Sequence, residues 1–259
     1  MNTNMKSVRK QMLNKVPEIT LYFWIIKILC TTVGETFADF LNTNLNLGLT
    51  GTSVVMSVLL IIVLIFQFKK NKYVPSIYWL AVVLISVVGT LITDNLTDNF
   101  GVSLITTTII FAIALSVTFI IWYVKEKTLS IHSIITTKRE AFYWVAILFT
   151  FALGTASGDL IAEKLNVGYL LSAVIFAGAI AVIYFAHKKF KFNSVWAFWI
   201  AYILTRPLGA SIGDFLSQAR TDGGLGLGTT ITSIIFLLAI LSLVIYLSLT
   251  RKDEIKSIN

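Results

Sequence analysis

Charge is what this 259-residue sequence has least of. Asp, Glu, Lys and Arg make up 13% of it and hydrophobic residues 56%, so it carries about half the charge of an ordinary soluble domain. A single soluble core of this length would leave too much apolar surface facing water. A conventional globular enzyme is therefore excluded, and an integral membrane protein is expected. The same composition excludes disorder. The apolar residues come in solid runs rather than alternating, which argues against a transmembrane β-barrel. One cysteine, Cys30, allows no disulfide within the chain and no thiolate cluster. Two histidines, His132 and His187, make a His-rich zinc or copper site untenable. No nucleophile–base pair, HExxH spacing or phosphate-binding glycine loop is present, so an enzyme is not expected. No cofactor is indicated. Residues 1–18 are polar and basic, and the apolar run after them is too long for a signal peptide and lacks a cleavage site.

The net charge of +8 raises nucleic acid as a partner, but the placement of the basic residues argues against it. They sit in short clusters between the apolar runs, without interleaved aromatics. The partners expected are the lipid bilayer and a small cation or proton.

Eight runs are long enough to cross the hydrocarbon core: 19–41, 47–68, 74–93, 100–124, 141–162, 165–186, 195–216 and 225–249. The expected fold is an all-α membrane domain of eight helices over 19–249, with polar tails at 1–18 and 250–259. Connections after the even runs are basic: Lys69, Lys70 and Lys72; Lys125, Lys127, Lys138 and Arg139; Lys188, Lys189 and Lys191. Both ends join this set through Lys6, Arg9, Lys10, Lys15, Arg251, Lys252 and Lys256. Seventeen of the 21 Lys and Arg thus fall on one side, which the positive-inside rule makes cytoplasmic, with both termini. The exceptions are Lys27, Lys164, Arg206 and Arg220. The other connections are short, so consecutive helices are expected to be antiparallel neighbours. All six tryptophans fall near the basic ends, as an aromatic belt would.

The strongest signal is a fourfold repeat. Trp24, Trp79, Trp144 and Trp199 are each followed ten residues later by Gly34, Gly89, Gly154 and Gly209, and fifteen later by Asp39, Asp94, Asp159 and Asp214. The pattern W-x9-G-x4-D recurs on every odd run, giving two-helix units at 19–68, 74–124, 141–186 and 195–249. Units one and two recur as three and four after 120 residues. All units share one orientation, so the symmetry axis should lie along the membrane normal, and the odd helices should occupy equivalent inner places. The repeat glycines, with Gly158 and Gly213, read as helix-packing positions, because small residues let helices approach closely in lipid.

The acids need more explanation, since an intramembrane carboxylate costs several kcal/mol unless it pairs, binds an ion or lines water. Glu35, Asp39, Asp94, Asp159 and Asp214 are the candidate cation- or proton-binding residues. Glu35, Asp39, Asp159 and Asp214 are the candidates for a metal. Asp98 and Glu163, at the water edge, read as helix-end residues. Grouped carboxylates cannot all stay ionised without counter-charge, so protons or a cation must be present. Arg206 and Lys27 are the candidate counter-ions, although Lys27 also reads as snorkelling to headgroups. Pro207 is expected to kink the seventh helix. Hydroxyls at Thr50, Thr52, Ser53, Ser103, Thr106, Thr107, Ser172, Thr229, Thr230 and Thr232 offer neutral oxygen ligands, or simply helix packing.

The segments VGETFADFL from Val33, LGTASGDL from Leu153 and above all TRPLGASIGDFL from Thr205 resemble a bacterial family of uncharacterised multi-pass membrane-anchored proteins built from repeats of unknown function. The resemblance runs from about Val16 to Leu249 and is weakest at Val88–Asp98. It implies the repeated topology and a bacterial cytoplasmic membrane, and brings no activity. Two functions compete on the residues. The first is a transporter or channel for protons or a hard cation through the carboxylates. The second is a sensor or assembly protein whose buried acids form a fixed polar network.

Overall fold

A computed structural model describes residues 14–44 and 47–254. The basic residues Lys6, Arg9, Lys10 and Lys256 lie outside the described residues. Eight long helices are present: α1 (Leu21–Asn44), α2 (Gly48–Phe68), α3 (Pro75–Asp94), α4 (Leu104–Glu126), α5 (Thr137–Asp159), α6 (Tyr169–Phe190), α7 (Ser194–Ser217) and α8 (Thr229–Thr250). Each is long and apolar enough to cross a membrane.

Helix starts follow local chemistry. Thr136 caps α5 by accepting from the Arg139 amide, Ser103 caps α4 by accepting from Thr106, and Asn193 caps α7 by accepting from Val195 and Trp196. The apolar runs beginning at 100, 165 and 225 therefore overreach. Their helices begin at Leu104, Tyr169 and Thr229, and the latter two follow Gly168 and Gly228 in the left-handed region at φ 79°. At the other end of the odd helices the opposite holds. α3 and α5 run on past Asp94 and Asp159 through π-helical turns, Asn95–Asn99 and Leu160–Lys164. Such wide turns concentrate at functional sites. α7 continues through Pro207 as one helix.

The odd helices close a ring in which α1 packs on α3, α3 on α5, α5 on α7 and α7 on α1. The repeat glycines make the joints. A methyl group on Gly34 would overlap Ser86, on Gly89 it would strike Phe151, on Gly154 Arg206, and on Gly209 Thr31. Ser86, Phe151, Arg206 and Thr31 each lie seven residues past their tryptophan, so the tenth position of every repeat meets the seventh of the next. That cyclic rule is why glycine recurs. Gly213 also presses on Thr36, whereas Gly158 meets Pro207 and Ala210 at ordinary contact distance.

The outer helices correct one expectation. An even helix is not packed along the odd helix of its own hairpin. α2 lies on α3, α4 on α5, α6 on α7, and α8 closes the circle on α1. Each hairpin spans two ring positions, and the uniformly apolar even helices carry no pattern that names their neighbour.

A second correction concerns the tryptophans. Trp79, Trp122, Trp144 and Trp199 are buried and only Trp196 is largely exposed. Trp79, Trp144 and Trp199 pack edge-on with Tyr78, Tyr143 and Tyr202, Phe23 lies tilted on Trp79, and Trp122 stacks on Phe142, forming an aromatic core at the basic end. Some polar tips find partners there: Trp199 Nε1 donates to the Leu129 carbonyl at 2.9 Å and the Tyr78 and Tyr143 hydroxyls meet at 2.5 Å, whereas Trp122 Nε1 and Trp144 Nε1 have none.

Residues 14–20 form an extended strap across that end. Lys15 N donates to Ile134 O, Tyr73 N to Asn14 O and Glu18 N to Asp253 O. Outside it, Glu18 pairs with His132 at 3.4 Å. The hydrogen bond to Glu18 raises the His132 pKa above its ordinary value. A raised imidazole pKa stabilises the fold fully below about pH 6.5, and the contribution is lost as pH climbs through the value in the folded protein. Solvent screening limits it to a few tenths of a kcal/mol. The melting temperature of wild type relative to His132→Gln should fall across that window, and a difference independent of pH would refute the pairing.

Candidate functional site

At the end of the ring opposite the aromatic core, the four repeat aspartates converge. Asp39, Asp94, Asp159 and Asp214 line one polar cup of about 210 Å³ together with Glu35, Asp98, Glu163, Asn42, Thr97 and Gln218. Seven of the chain's 13 Asp and Glu are therefore gathered in a single place. The repeat explains the arrangement. Each aspartate lies about one helical turn beyond the eleventh position of its repeat, so the four form one level of the ring at its open end.

The level beneath is the floor of the cup. Glu35, Thr90, Thr155 and Ala210 occupy the eleventh position of repeats one to four, and Arg206 rises into this level from the seventh position of the fourth. Arg206 is fully buried. Its Nη2 lies among Glu35 Oε2 at 2.9 Å, Thr155 Oγ1 at 2.7 Å and the Thr90 hydroxyl, with two N–H groups to share among them, and its Nη1 donates to the Thr31 carbonyl at 2.7 Å. One guanidinium thus draws together α1, α3 and α5 from its seat on α7. Charge-assisted bonds of this kind are roughly twice as strong as neutral ones.

Within the cup, Glu35, Asp159 and Asp214 place carboxylate oxygens within 4.8 Å of one another. Calcium binds oxygens at 2.3–2.6 Å, so ligands on opposite sides of it stand about 4.6–5.2 Å apart. The three oxygens can close on one such ion without moving the helices. Glu35 and Asp214 are buried, whereas Asp159 and Asp39 are partly open to the cup. Asp39 lines the cup but is not in this close triad.

Several expectations change. Lys27 is not a counter-ion to the acids and does not snorkel. It is buried, its Nζ lies 3.8 Å from the centroid of the Phe151 ring and 4.2 Å from that of Tyr202, and it has no hydrogen-bond partner. Phe151 comes from the third repeat, across the ring from Lys27, which the linear sequence does not bring near. Asp98 and Glu163 are cup residues rather than mere helix ends, because the π-helical turns carry them round to it; Tyr169 donates to Glu163 at 3.2 Å. The hydroxyls offered as ligands do not line the cup. Thr50 and Ser53 bond Asn95 at 3.1 and 2.8 Å, Ser103 caps α4, and Thr52, Thr107, Ser172 and Thr232 are buried between helices. Thr90 and Thr155 were missed, although their offset from tryptophan, equal to that of Glu35, is the signal that finds them.

The ring of repeats and the acid cup define a class: eight-helix proteins whose helices are long and apolar enough to span a membrane, built from four copies of one unit around an acidic centre. The family described as Repeat of Unknown Function (DUF347) matches at residues 22–73, 77–128, 142–192 and 197–253. This chain belongs to that family. The matches cover one ring helix and the following outer helix each. Among curated proteins and solved structures, none matches the chain.

Proposed function

We propose that this protein is a membrane transporter or channel for protons or a hard cation, with the cup as its binding site. The observation that carries this reading is the convergence of one carboxylate from every repeat on a single cup whose floor is a buried arginine–glutamate pair. A structural network needs to balance its charge internally, and the cup does the reverse by assembling seven acids around one guanidinium. Charge balance then comes from what binds. Arg206 serves as a tethered cation on Glu35, exchanged when substrate enters, while Asp39, Asp94, Asp159 and Asp214 receive the incoming charge.

The basic connections support, by the positive-inside rule, an orientation with the aromatic end and both termini in the cytoplasm and the cup facing outward. In cells expressing Cys30-free protein, Gly223→Cys should react with an impermeant thiol reagent and Lys189→Cys should not. The reverse pattern contradicts this orientation. Purified protein in liposomes loaded with ion- or pH-sensitive dye should pass H⁺, Na⁺, Ca²⁺ or Mn²⁺ faster than empty vesicles. If none moves, transport is wrong and the acids belong to a sensor or assembly protein.

A further inference from the structure

A second buried carboxylate sits at the opposite end of the ring. Glu140, in the first turn of α5, is fully buried. It lies four residues before Trp144, where the other repeats place Thr20, Pro75 and Val195. The ring closes without a charge at that position in three repeats of four, so symmetry and packing do not account for the acid.

Its surroundings are those of a cation site. The ammonium of Lys15 lies 2.7 Å from Glu140 Oε2 and 3.1 Å from the Phe68 carbonyl, while Gln67 Nε2 donates to Glu140 Oε1 at 3.0 Å. Gln67 Oε1 is buried without a hydrogen-bond partner, and so are both amide atoms of Asn14, oxygen and nitrogen, the residue before Lys15. The first is on the same amide group that binds Glu140. Buried polar atoms of this kind ordinarily have partners, and orphaned ones call for an explanation. Lys15 belongs to neither the ring nor the repeats. It is carried by the strap, whose backbone is held by hydrogen bonds to Ile134, Tyr73 and Asp253 and by the burial of residues 14–17. The strap lies outside the repeats, so its opening need not unfold the ring.

We propose that the Glu140 pocket is a second cation site, selective for a small monovalent cation such as Na⁺ or K⁺, and that Lys15 is a tethered occupant holding it shut. One carboxylate with neutral oxygens around it balances one charge. A divalent ion would leave a positive charge uncompensated in a buried place, which is costly. The ligands are hard oxygens, as alkali cations require. Binding at Glu140 stands independently of the cup; only its part in transport rests on the function proposed above. The two ends then share a device, since Arg206 occupies Glu35 at one and Lys15 occupies Glu140 at the other.

The test compares full-length wild type, Lys15→Met, and Lys15→Met with Glu140→Gln in detergent, melted in choline chloride and in NaCl or KCl at equal ionic strength. Lys15→Met should melt below wild type in choline. Na⁺ or K⁺ should then raise its melting temperature by about 5–10 °C more than it raises wild type at a hundredfold excess over Kd. Adding Glu140→Gln should erase that extra rise. If Lys15→Met is destabilised and neither ion restores it beyond the wild-type response, the pair is structural and the proposal fails. It fails equally if the extra rise survives Glu140→Gln. Should Lys15→Met not fold, hydrogen exchange on wild type decides: the Lys15 and Tyr73 amides should exchange faster in NaCl or KCl than in choline chloride, and equal rates would overturn the proposal. In an Asp159→Asn background the extra rise of Lys15→Met over Lys15, and its loss with Glu140→Gln, should both remain, which separates failure here from failure of the cup.

Discussion

Arg206→Gln is expected to lower stability by about 3–5 kcal/mol, the cost of breaking a buried ion pair by removing one partner. The guanidinium is fully buried and bonds Glu35, Thr90, Thr155 and the Thr31 carbonyl. Glutamine is shorter and carries no charge, so the Glu35 carboxylate would stay in the floor of the cup without its partner. Glutamine keeps the Cβ and Cγ that lie against Gly154, so the packing lost is only that of the guanidinium end. Each kcal/mol shifts the melting temperature of a chain of this size by roughly 2–4 °C, so a fall of about 10 °C is expected. Adding Glu35→Gln should return much of the loss, because no uncompensated charge then remains. A single substitution shifting the melt by less than about 2 °C would mean the pair does not hold the ring. A double substitution no better than the single would mean that packing, not charge, was lost.

Asp159→Asn and Asp214→Asn should do the opposite. Each keeps the side-chain shape and removes one like charge from a crowded cup. The fold should persist, or gain slightly in the absence of added cation. What should disappear is the response to cation. Asp159 and Asp214 supply two of the three oxygens that lie within 4.8 Å of one another. An amide offers one neutral oxygen where the carboxylate offers two charged ones, and hard cations discriminate strongly between them. Ion movement into liposomes should fall to the level of empty vesicles in either variant. Asn at either position with wild-type flux would place the ion path elsewhere.

Much of the ring was legible because the repeat is periodic. The offsets from tryptophan to glycine and aspartate place the four acids on one level and the glycines at the joints, with no knowledge of the packing. Glu35 and Arg206 were legible as charges that apolar helices cannot carry unaided. The neighbours of the even helices were not, because a helix apolar on every face packs equally well on either side. Nor was the aromatic core: tryptophan near a helix end reads the same whether it faces headgroups or the bundle axis. Lys27 misled because its two ring partners come from other repeats, 124 and 175 residues away along the chain. The Lys15–Glu140 pair was hidden in the same way, with Lys15 counted among the basic residues of a tail.

The central claim is that the cup binds a cation between acids contributed by different repeats. The most direct measurement is the melting temperature of purified protein as Ca²⁺, Mn²⁺, Mg²⁺ or Na⁺ is added, for wild type, Asp159→Asn and Asp214→Asn. At least one cation should raise the wild-type melt by about 5–10 °C at a hundredfold excess over its Kd, and leave both variants nearly unmoved. If no cation stabilises wild type more than it stabilises the variants, the acids are scaffolding and the cup is not a binding site.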